Sequence, residues 1–143
     1  MTRPTRILLV EDNDADALLI QEALREAGVD QPVHVSPDGE AAMAHLEATS
    51  SSTPPDLVLL DLNLPRMDGR EVLRRVKGDP SLREIPVIVL TTSAAPEDIA
   101  MAYGRVANAF VRKPLGMDRL VDAASAIRDF WLRTAELPST TQS

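Results

Sequence analysis

Short apolar runs alternate along this chain with longer stretches in which apolar residues recur at helical spacing. Most of the runs are rich in Val, Ile and Leu and are not interrupted by polar residues, which is typical of strands buried on both faces of a parallel sheet. The predicted strands are Ile7–Val10, Val33–Ser36, Leu57–Leu60, Val87–Leu90 and Ala109–Val111, and the second of them carries the weakest pattern.

Five helices are predicted between and after these strands. The first covers Ala15–Ala27, has apolar residues at positions 18, 19, 23 and 27, and is followed by Gly28 as its C-terminal cap. Asp38 and Asp68 are suited to cap a second and a third helix, and Pro96 fits the first turn of a fourth. The apolar stripe of the fifth helix consists of Leu120, Val121, Ala124, Ile127 and Trp131.

The alternation of strand and helix predicts the fold class. It is typical of an α/β protein with a doubly wound, five-stranded parallel sheet and five helices. Because right-handed crossovers orient all the strands alike, their carboxyl ends are expected at one edge of the sheet. The length of 143 residues corresponds to one domain, which we assign to residues 1–136, with a flexible tail at 137–143.

Composition and charge exclude several classes of protein. The chain has 15 Lys and Arg against 22 Asp and Glu, and this net charge of −7 argues against a nucleic-acid partner. It contains no cysteine, which excludes disulfides, thiolate metal sites and cysteine nucleophiles. The longest apolar runs have four residues, so neither a membrane span nor a signal peptide is expected, and we predict a cytoplasmic protein.

Acidic, hydroxyl and basic side chains stand directly after four of the predicted strands. In chain order they are Glu11-Asp12, Asp61, Thr91-Thr92 and Lys113-Pro114. Ligands of doubly wound sheets bind outside the carboxyl ends of the strands. Read singly, Asp12 could cap a helix, Asp61 could belong to a turn and Lys113 could be a solvated loop lysine. Their occurrence together at matching places favours a functional site.

The chemistry of this edge predicts a metal-assisted phosphoryl acceptor. Three carboxylates close together repel one another unless a cation neutralises them, and clustered oxygen ligands suit Mg²⁺. Two charges on the metal and one on Lys113 would balance the three carboxylates. A carboxylate at Asp61, held rigidly behind the apolar run Leu57–Leu60, is equipped to receive a phosphoryl group and to form an aspartyl phosphate.

Four segments at these strand ends resemble the receiver domain of two-component response regulators, the phosphoacceptor partners of sensor histidine kinases. The segments are ILLVEDN, DLVLLDLNLPRMDG, IPVIVLTTS and FVRKP, and they occur in the order and spacing of that family over about residues 5–130. The resemblance implies a flavodoxin-like sheet with strand order 2-1-3-4-5. It also implies that Asp61 is the phosphoacceptor, that Glu11 and Asp12 are the acidic pair at Mg²⁺, and that Asn63 offers its backbone carbonyl to the metal.

The resemblance assigns three more residues to the reaction and to the response that follows it. Thr91 takes the place of the hydroxyl residue that moves to the new phosphate, Lys113 is the lysine that contacts the phosphate, and Phe110 is the switch aromatic. Phe110 lacks the hydroxyl of the commoner Tyr, so a switch there would act by packing alone. Glu11 is one methylene longer than the usual Asp, which leaves open whether it reaches the metal directly or through a water.

The segments KGDPSLREIP, VLTTS and ANAFVRKP resemble stand-alone regulators that are paired with bacterial phytochromes. This resemblance implies a phytochrome-type sensor histidine kinase as the partner and a signalling protein without an attached output domain. It implies no enzymatic activity beyond self-phosphorylation from small donors and autodephosphorylation.

A phosphatase of the haloacid-dehalogenase type is the main alternative, because it also forms an aspartyl phosphate after an apolar strand. Its motif requires a second acid two residues later as the general acid/base, and here that position is Asn63. An EF-hand is excluded because Ala17 and Ala23 replace the required Gly and Glu. A flavodoxin-like flavin binder is disfavoured because Glu11-Asp12 would face the flavin phosphate.

Three further features remain to be interpreted. Trp131, beside Phe130, either covers the core or contacts a second copy in a homodimer formed through the fourth helix, fifth strand and fifth helix. Basic residues after Asp61 form either a solvated helix face or a docking patch; they are Arg66, Arg70, Arg74, Arg75, Lys77 and Arg83. His34 and His45 have no ligand spacing and are assigned no function.

Overall fold

The sheet has five parallel strands in the order β2-β1-β3-β4-β5, as predicted. A computed structural model describes residues 6–92, 95–104 and 107–134, so the predicted tail at 137–143 lies outside the described residues. The strands are β1 Ile7–Val10, β2 Val33–Ser36, β3 Leu57–Leu60, β4 Val87–Thr91 and β5 Ala109–Arg112. Compared with the prediction, β4 and β5 each extend by one residue toward the carboxyl edge.

Helices connect the strands on both faces of the sheet. They are α1 Asp14–Glu26, α2 Gly39–Thr49, α3 Gly69–Gly78, α4 Pro96–Gly104 and α5 Met117–Ile127, and α5 continues as a π-helical segment, Arg128–Thr134. The predicted fifth helix therefore changes its winding before Trp131. The change begins at Arg128, whose guanidinium donates to the carbonyl oxygen of Ala27 at the end of α1. In the described part of the chain, no helix has the length and apolar character needed to cross a membrane.

The helix ends show which polar residues act as caps. Asp38 and Asp68 cap α2 and α3, as predicted. For α1 the cap is Asn13, whose side chain accepts from the backbone N–H of Asp16 at 2.9 Å. Asp12, which read singly could cap this helix, is therefore not used in this way. Gly28 follows α1 with a positive φ of 87°, as expected for a C-terminal cap.

The core consists of two apolar layers, one on each face of the sheet. Alternate residues of β1 show the division: Leu8 and Val10 pack with α2, α3 and α4, whereas Ile7 and Leu9 pack with α1 and α5. Strands β1, β3 and β4 are buried along their whole length, but the edge strand β5 is only half-buried. This arrangement explains why the central strands read as uninterrupted apolar runs.

Two glycines bring helix N-termini against the β3–α3 loop. A Cβ atom on Gly69 would lie 2.2 Å from the carbonyl oxygen of Asp61, and one on Gly39 would lie 2.1 Å from that of Met67. The same loop contains Arg66 at a positive φ of 62°, and its Nε lies 3.6 Å from Asp38 Oδ2. The segment after β3 is therefore held in place by both α2 and α3.

Candidate functional site

The sheet brings the predicted residues together at its carboxyl edge. Backbone hydrogen bonds continue past the strands: the N–H of Asp61 donates to Val10 at 3.1 Å, and that of Lys113 donates to Thr91 at 2.7 Å. Glu11 is tied to β2 in the same way, through a 3.0 Å bond to the carbonyl oxygen of Ser36. The side chains at the site are therefore carried by the rigid end of the sheet rather than by free loops.

Asp61 lies at the centre of the site and is 7% exposed. Its Oδ1 accepts the hydroxyl hydrogen of Thr91 at 2.8 Å and the backbone N–H of Asn63 at 3.1 Å. Its Oδ2 faces Lys113 Nζ at 3.4 Å. One carboxylate oxygen is thus fixed by two short bonds, while the other has only a longer contact with the ammonium group.

Lys113 is shared among three carboxylates. Its Nζ lies 2.6 Å from Glu11 Oε1, and it lies 3.4 Å from both Asp16 Oδ2 and Asp61 Oδ2. Glu11 is buried, and its Oε2 also accepts the backbone N–H of Asn13 at 3.2 Å. The shortest contact of the ammonium group is therefore with Glu11 and not with the central Asp61.

Burial and charge act in opposite directions on this pair. Burial raises the pKa of the Glu11 carboxyl, although the hydrogen bonds from Lys113 and the backbone of Asn13 act to lower it. Burial acts to lower the pKa of Lys113, but the bond to Glu11 and the surrounding carboxylates outweigh it and raise that pKa. The ammonium group therefore remains charged within the acidic cluster.

Three carboxylates form a potential metal site. Oxygen atoms of Glu11, Asp12 and Asp61 all lie within 4.8 Å of one another; Glu11 and Asp61 are buried and Asp12 is exposed. One lysine cannot neutralise three carboxylates, and oxygen donors are the ligands of hard divalent cations. These residues therefore fit a divalent metal. The role of the Asn63 carbonyl stays a prediction, since the bond observed at Asn63 comes from its N–H.

The two threonines at the carboxyl end of β4, Thr91 in the strand and Thr92 after it, have different environments. Thr91 is fully buried and bonded to Asp61, whereas Thr92 is exposed. Phe110 does not contact the acidic cluster but is half-buried against the core layer beneath α4, where its backbone N–H donates to the hydroxyl of Tyr103 at 3.3 Å. Its predicted role as a switch residue depends on that packing.

The basic residues after Asp61 are mostly paired within the chain. Arg70 binds Asp98 on α4 at 2.8 Å as well as its neighbour Asp68, and both Arg74 and Arg75 bind Glu71. Lys77 Nζ donates to the carbonyl oxygen of Ile85 at 2.8 Å. These contacts favour the interpretation of a solvated helix face over that of a docking patch.

Three contacts were not anticipated from the sequence. Asp16 reaches Lys113 from α1. The predicted site contains only residues at strand ends, so it did not include this helix residue. Tyr103 meets Phe110 across α4 and β5. His34 and His45 form a stack with ring centroids 3.8 Å apart and planes 8° apart, although they lie on different elements.

Comparison with known proteins identifies the family. The model of the response regulator receiver domain matches residues 7–125. The chain belongs to this family. Receiver domains are signalling proteins that interact with histidine kinases and bind a divalent metal, in agreement with the acidic cluster described above. The prediction of a receiver fold and the prediction of response-regulator function are both confirmed.

Close relatives of this receiver are also regulators of similar length. The response regulator Rcp1 of Synechocystis sp. is 43% identical over 139 residues, which are 95% of this chain and 95% of Rcp1. The structure of the phosphorylated cyanobacterial phytochrome response regulator RcpA is 46% identical, covers 96% of this chain and 100% of its own, and has a TM-score of 0.89. The Mn²⁺-bound form of Rcp1 superimposes with a TM-score of 0.86 at 43% identity, over 94% of this chain and 99% of its own.

Proposed function

We propose that Asp61 accepts a phosphoryl group from a sensor histidine kinase in a Mg²⁺-dependent reaction, and that the resulting change at Thr91 and Phe110 carries the signal. The observation on which this rests is the buried Asp61 carboxylate, held between the Thr91 hydroxyl and the Lys113 ammonium. A receiver with this arrangement has a fixed nucleophile and two groups that can contact the transferred phosphate.

The transfer exchanges one bond to phosphorus for another. A carboxylate oxygen of Asp61 attacks the phosphorus atom, and the bond from phosphorus to the donor nitrogen of the kinase histidine breaks with its electron pair remaining on the nitrogen. The product is an acyl phosphate on Asp61. Lys113 offsets negative charge on the phosphoryl oxygens. Mg²⁺, held by Glu11, Asp12 and Asp61, would supply further charge neutralisation when bound.

The new phosphate changes which bonds Thr91 makes. Phosphorylation adds nearly two negative charges and three acceptor oxygens. The Thr91 hydroxyl, which now donates to Asp61 Oδ1 at 2.8 Å, can donate to one of these oxygens instead. This movement shifts the carboxyl end of β4 and allows Phe110 to repack against the core layer beneath α4. The signal is thus a change in packing at α4 and β5.

The same site is expected to lose its phosphate by hydrolysis and to catalyse no other reaction. A water that attacks phosphorus regenerates the Asp61 carboxylate and releases inorganic phosphate. A phosphatase of the haloacid-dehalogenase type needs an acid two residues after the acceptor, and Asn63 cannot transfer a proton in that role. We therefore assign to the chain only its own phosphorylation and dephosphorylation.

Similarity to a phytochrome response regulator supports a phytochrome-type histidine kinase as the partner, and exposed leucines support contact with a protein donor. RcpA, which has 46% identity to this chain, is a phytochrome response regulator. In addition, three leucines near the site are exposed: Leu18 and Leu19 on α1, and Leu115, which directly follows Lys113-Pro114 and is 90% exposed. An apolar rim beside the acceptor suits contact with a helical protein donor. Because such kinases use ATP, we place the chain in the cytoplasm.

A homodimer through α4, β5 and α5 is supported by incomplete burial of that face. Strand β5 is only half-buried, and Tyr103 on α4 is exposed. Phe130 is 54% exposed and packs edge-on against Trp131, with ring centroids 5.0 Å apart. Trp131 itself is half-buried against the layer formed with α1 and α5, so it covers the core and offers only part of its surface to a partner.

The decisive experiment is an intact-mass measurement after incubation with a small-molecule phosphodonor, with and without Mg²⁺. We expect a metal-dependent gain of one phosphoryl group in the native chain and none in Asp61→Asn. Asp30→Asn, which removes an exposed carboxylate after α1, is the matched control and should be labelled as the native chain is. Appreciable labelling of Asp61→Asn, or no labelling of the folded native chain with any donor, would contradict the proposal.

A further inference from the structure

Asp16 is a fourth carboxylate close to the site. It lies in the first turn of α1, where its backbone N–H is fixed by the Asn13 cap at 2.9 Å, and its side chain is 40% exposed. It borders a small cavity of about 90 Å³ between α1 and the connection from β5 to α5, which Leu19, Pro114 and Met117 also line. Asp16 therefore approaches the acceptor site from the side of α1.

The contact that matters is the one between Asp16 and Lys113. Asp16 Oδ2 lies 3.4 Å from Lys113 Nζ, the same distance that separates Nζ from Asp61 Oδ2. The Lys113 side chain is only 9% exposed, so its ammonium group has little access to water and depends on these carboxylates for hydrogen bonding. Asp16 and Asp61 thus attract the same ammonium group at equal distances.

We propose that Asp16 is a positioning residue that draws the Lys113 ammonium toward α1 and competes for it with the phosphoryl group. This inference rests on the proposed function, in which Lys113 contacts the phosphate on Asp61. When the phosphoryl oxygens arrive, the ammonium group must redistribute its hydrogen bonds, and the Asp16 carboxylate opposes this by retaining the lysine. Asp16 therefore lowers the stability of the phosphorylated state without contacting the phosphate.

The test measures affinity for beryllofluoride, a phosphoryl mimic, at saturating Mg²⁺ with the full chain. Asp16→Asn should bind beryllofluoride about two- to fivefold more tightly than the native chain, the range expected for a partly exposed ion pair. Asp14→Asn is the matched control, since it removes the same charge from the first turn of the same helix. Its affinity should equal that of the native chain, because no contact joins Asp14 to Lys113 among the described residues.

A double-mutant cycle separates positioning from a general effect of charge. In a Lys113→Gln background, Asp16→Asn should leave beryllofluoride affinity unchanged, because the group for which Asp16 competes has been removed. An equal gain in both backgrounds, or an equal gain in Asp14→Asn, would overturn the inference. Equal affinity of Asp16→Asn and the native chain would also overturn it and leave the proposed function intact. If the native chain did not bind beryllofluoride at all, both proposals would fail.

Discussion

The hydroxyl of Thr91 donates to Asp61 Oδ1 at 2.8 Å, and this bond joins the carboxyl ends of two neighbouring strands. Both residues are buried, so water does not compete for either group. The hydroxyl that is proposed to report on the phosphate is thus already engaged with the acceptor before phosphorylation. In the proposed switch, phosphorylation therefore exchanges this bond for a new one and does not attract an unbound hydroxyl.

Removal of the Thr91 hydroxyl should therefore affect the unmodified chain as well as the switch. Thr91→Val has a similar shape but leaves a charged acceptor with one donor fewer, and we expect the free energy of unfolding to fall by about 1 to 2 kcal/mol. Thr91→Ser keeps the hydroxyl, and its free energy of unfolding should fall much less. Urea unfolding of both variants is the measurement, and an equal loss in the two would show that the methyl group, not the hydrogen bond, is responsible.

Asp12 should favour metal binding but lower the stability of the metal-free fold. In metal-free buffer, Asp12→Asn removes one of three mutually repelling carboxylates, and the free energy of unfolding should rise by up to about 1 kcal/mol. Its dissociation constant for Mg²⁺ should rise by about tenfold or more. Thermal unfolding across a Mg²⁺ titration measures both effects. Asp14→Asn provides the control, and the assignment of Asp12 would be wrong if both variants responded to Mg²⁺ as the native chain does.

Gly69 and Gly78, at the two ends of α3, should respond to alanine in opposite directions. A Cβ on Gly69 would lie 2.2 Å from the backbone oxygen of Asp61, so Gly69→Ala should lower the free energy of unfolding by about 2 to 4 kcal/mol and disturb phosphorylation. A Cβ on Gly78 meets nothing within 4 Å, and Gly78→Ala should be neutral or stabilise by up to about 1 kcal/mol. Chemical denaturation distinguishes the two, and similar losses would contradict the observed close approach.

The stacked histidines should make stability depend on pH. Burial, and then the charge of His34, lower the pKa of His45 below its ordinary value of 6.5, so folding favours the neutral ring. The resulting contribution to stability is complete above 6.5 and is lost as the pH falls through the lowered pKa of the folded state. Both rings border a cavity of about 280 Å³.

Urea unfolding at about pH 7.5 and about pH 5.5 tests this dependence. The native chain should lose more stability between the two conditions than His45→Gln, which cannot be protonated in this range. Because the two proteins differ only at position 45, the difference between their changes in stability with pH gives the contribution of the histidine pair. Parallel pH profiles would show that the stack does not contribute.

Phe130 and Trp131 should contribute unequally to the proposed dimer. Light scattering should give a lower mass for Phe130→Ala, whose ring is 54% exposed and available to a second copy. Trp131→Ala should lower the mass as well, but it should also reduce stability, because Trp131 packs on the core. Leu18→Ala removes an exposed side chain on α1, which is not an element of the proposed dimer face, and should leave the mass unchanged. A native chain that is monomeric at high concentration would exclude the dimer.

Contacts made by strand ends could be predicted from the sequence, whereas contacts made by helix faces could not. The positions of Asp61 and Lys113 follow from a parallel sheet, because the residues at the carboxyl ends of all its strands lie at the same edge. By contrast, the bond between Arg70 and Asp98 depends on how α3 and α4 are rotated relative to one another. The choice of Asn13 over Asp12 as the cap of α1 likewise depends on where the chain turns after β1.

The ion pair between Lys113 and Glu11 joins residues that are 102 positions apart. A nascent chain that has emerged only as far as β4 already contains Asp61 and the acidic pair, but it lacks Lys113, whose ammonium group contacts Glu11 and Asp61. Since β5 pairs with β4 only after its own synthesis, the acidic cluster gains this ammonium group only once β5 has joined the sheet. In the proposed reaction, a chain whose β5 has not joined the sheet lacks the group that offsets charge on the phosphoryl oxygens, and we expect it to be a poorer phosphoacceptor than the folded chain.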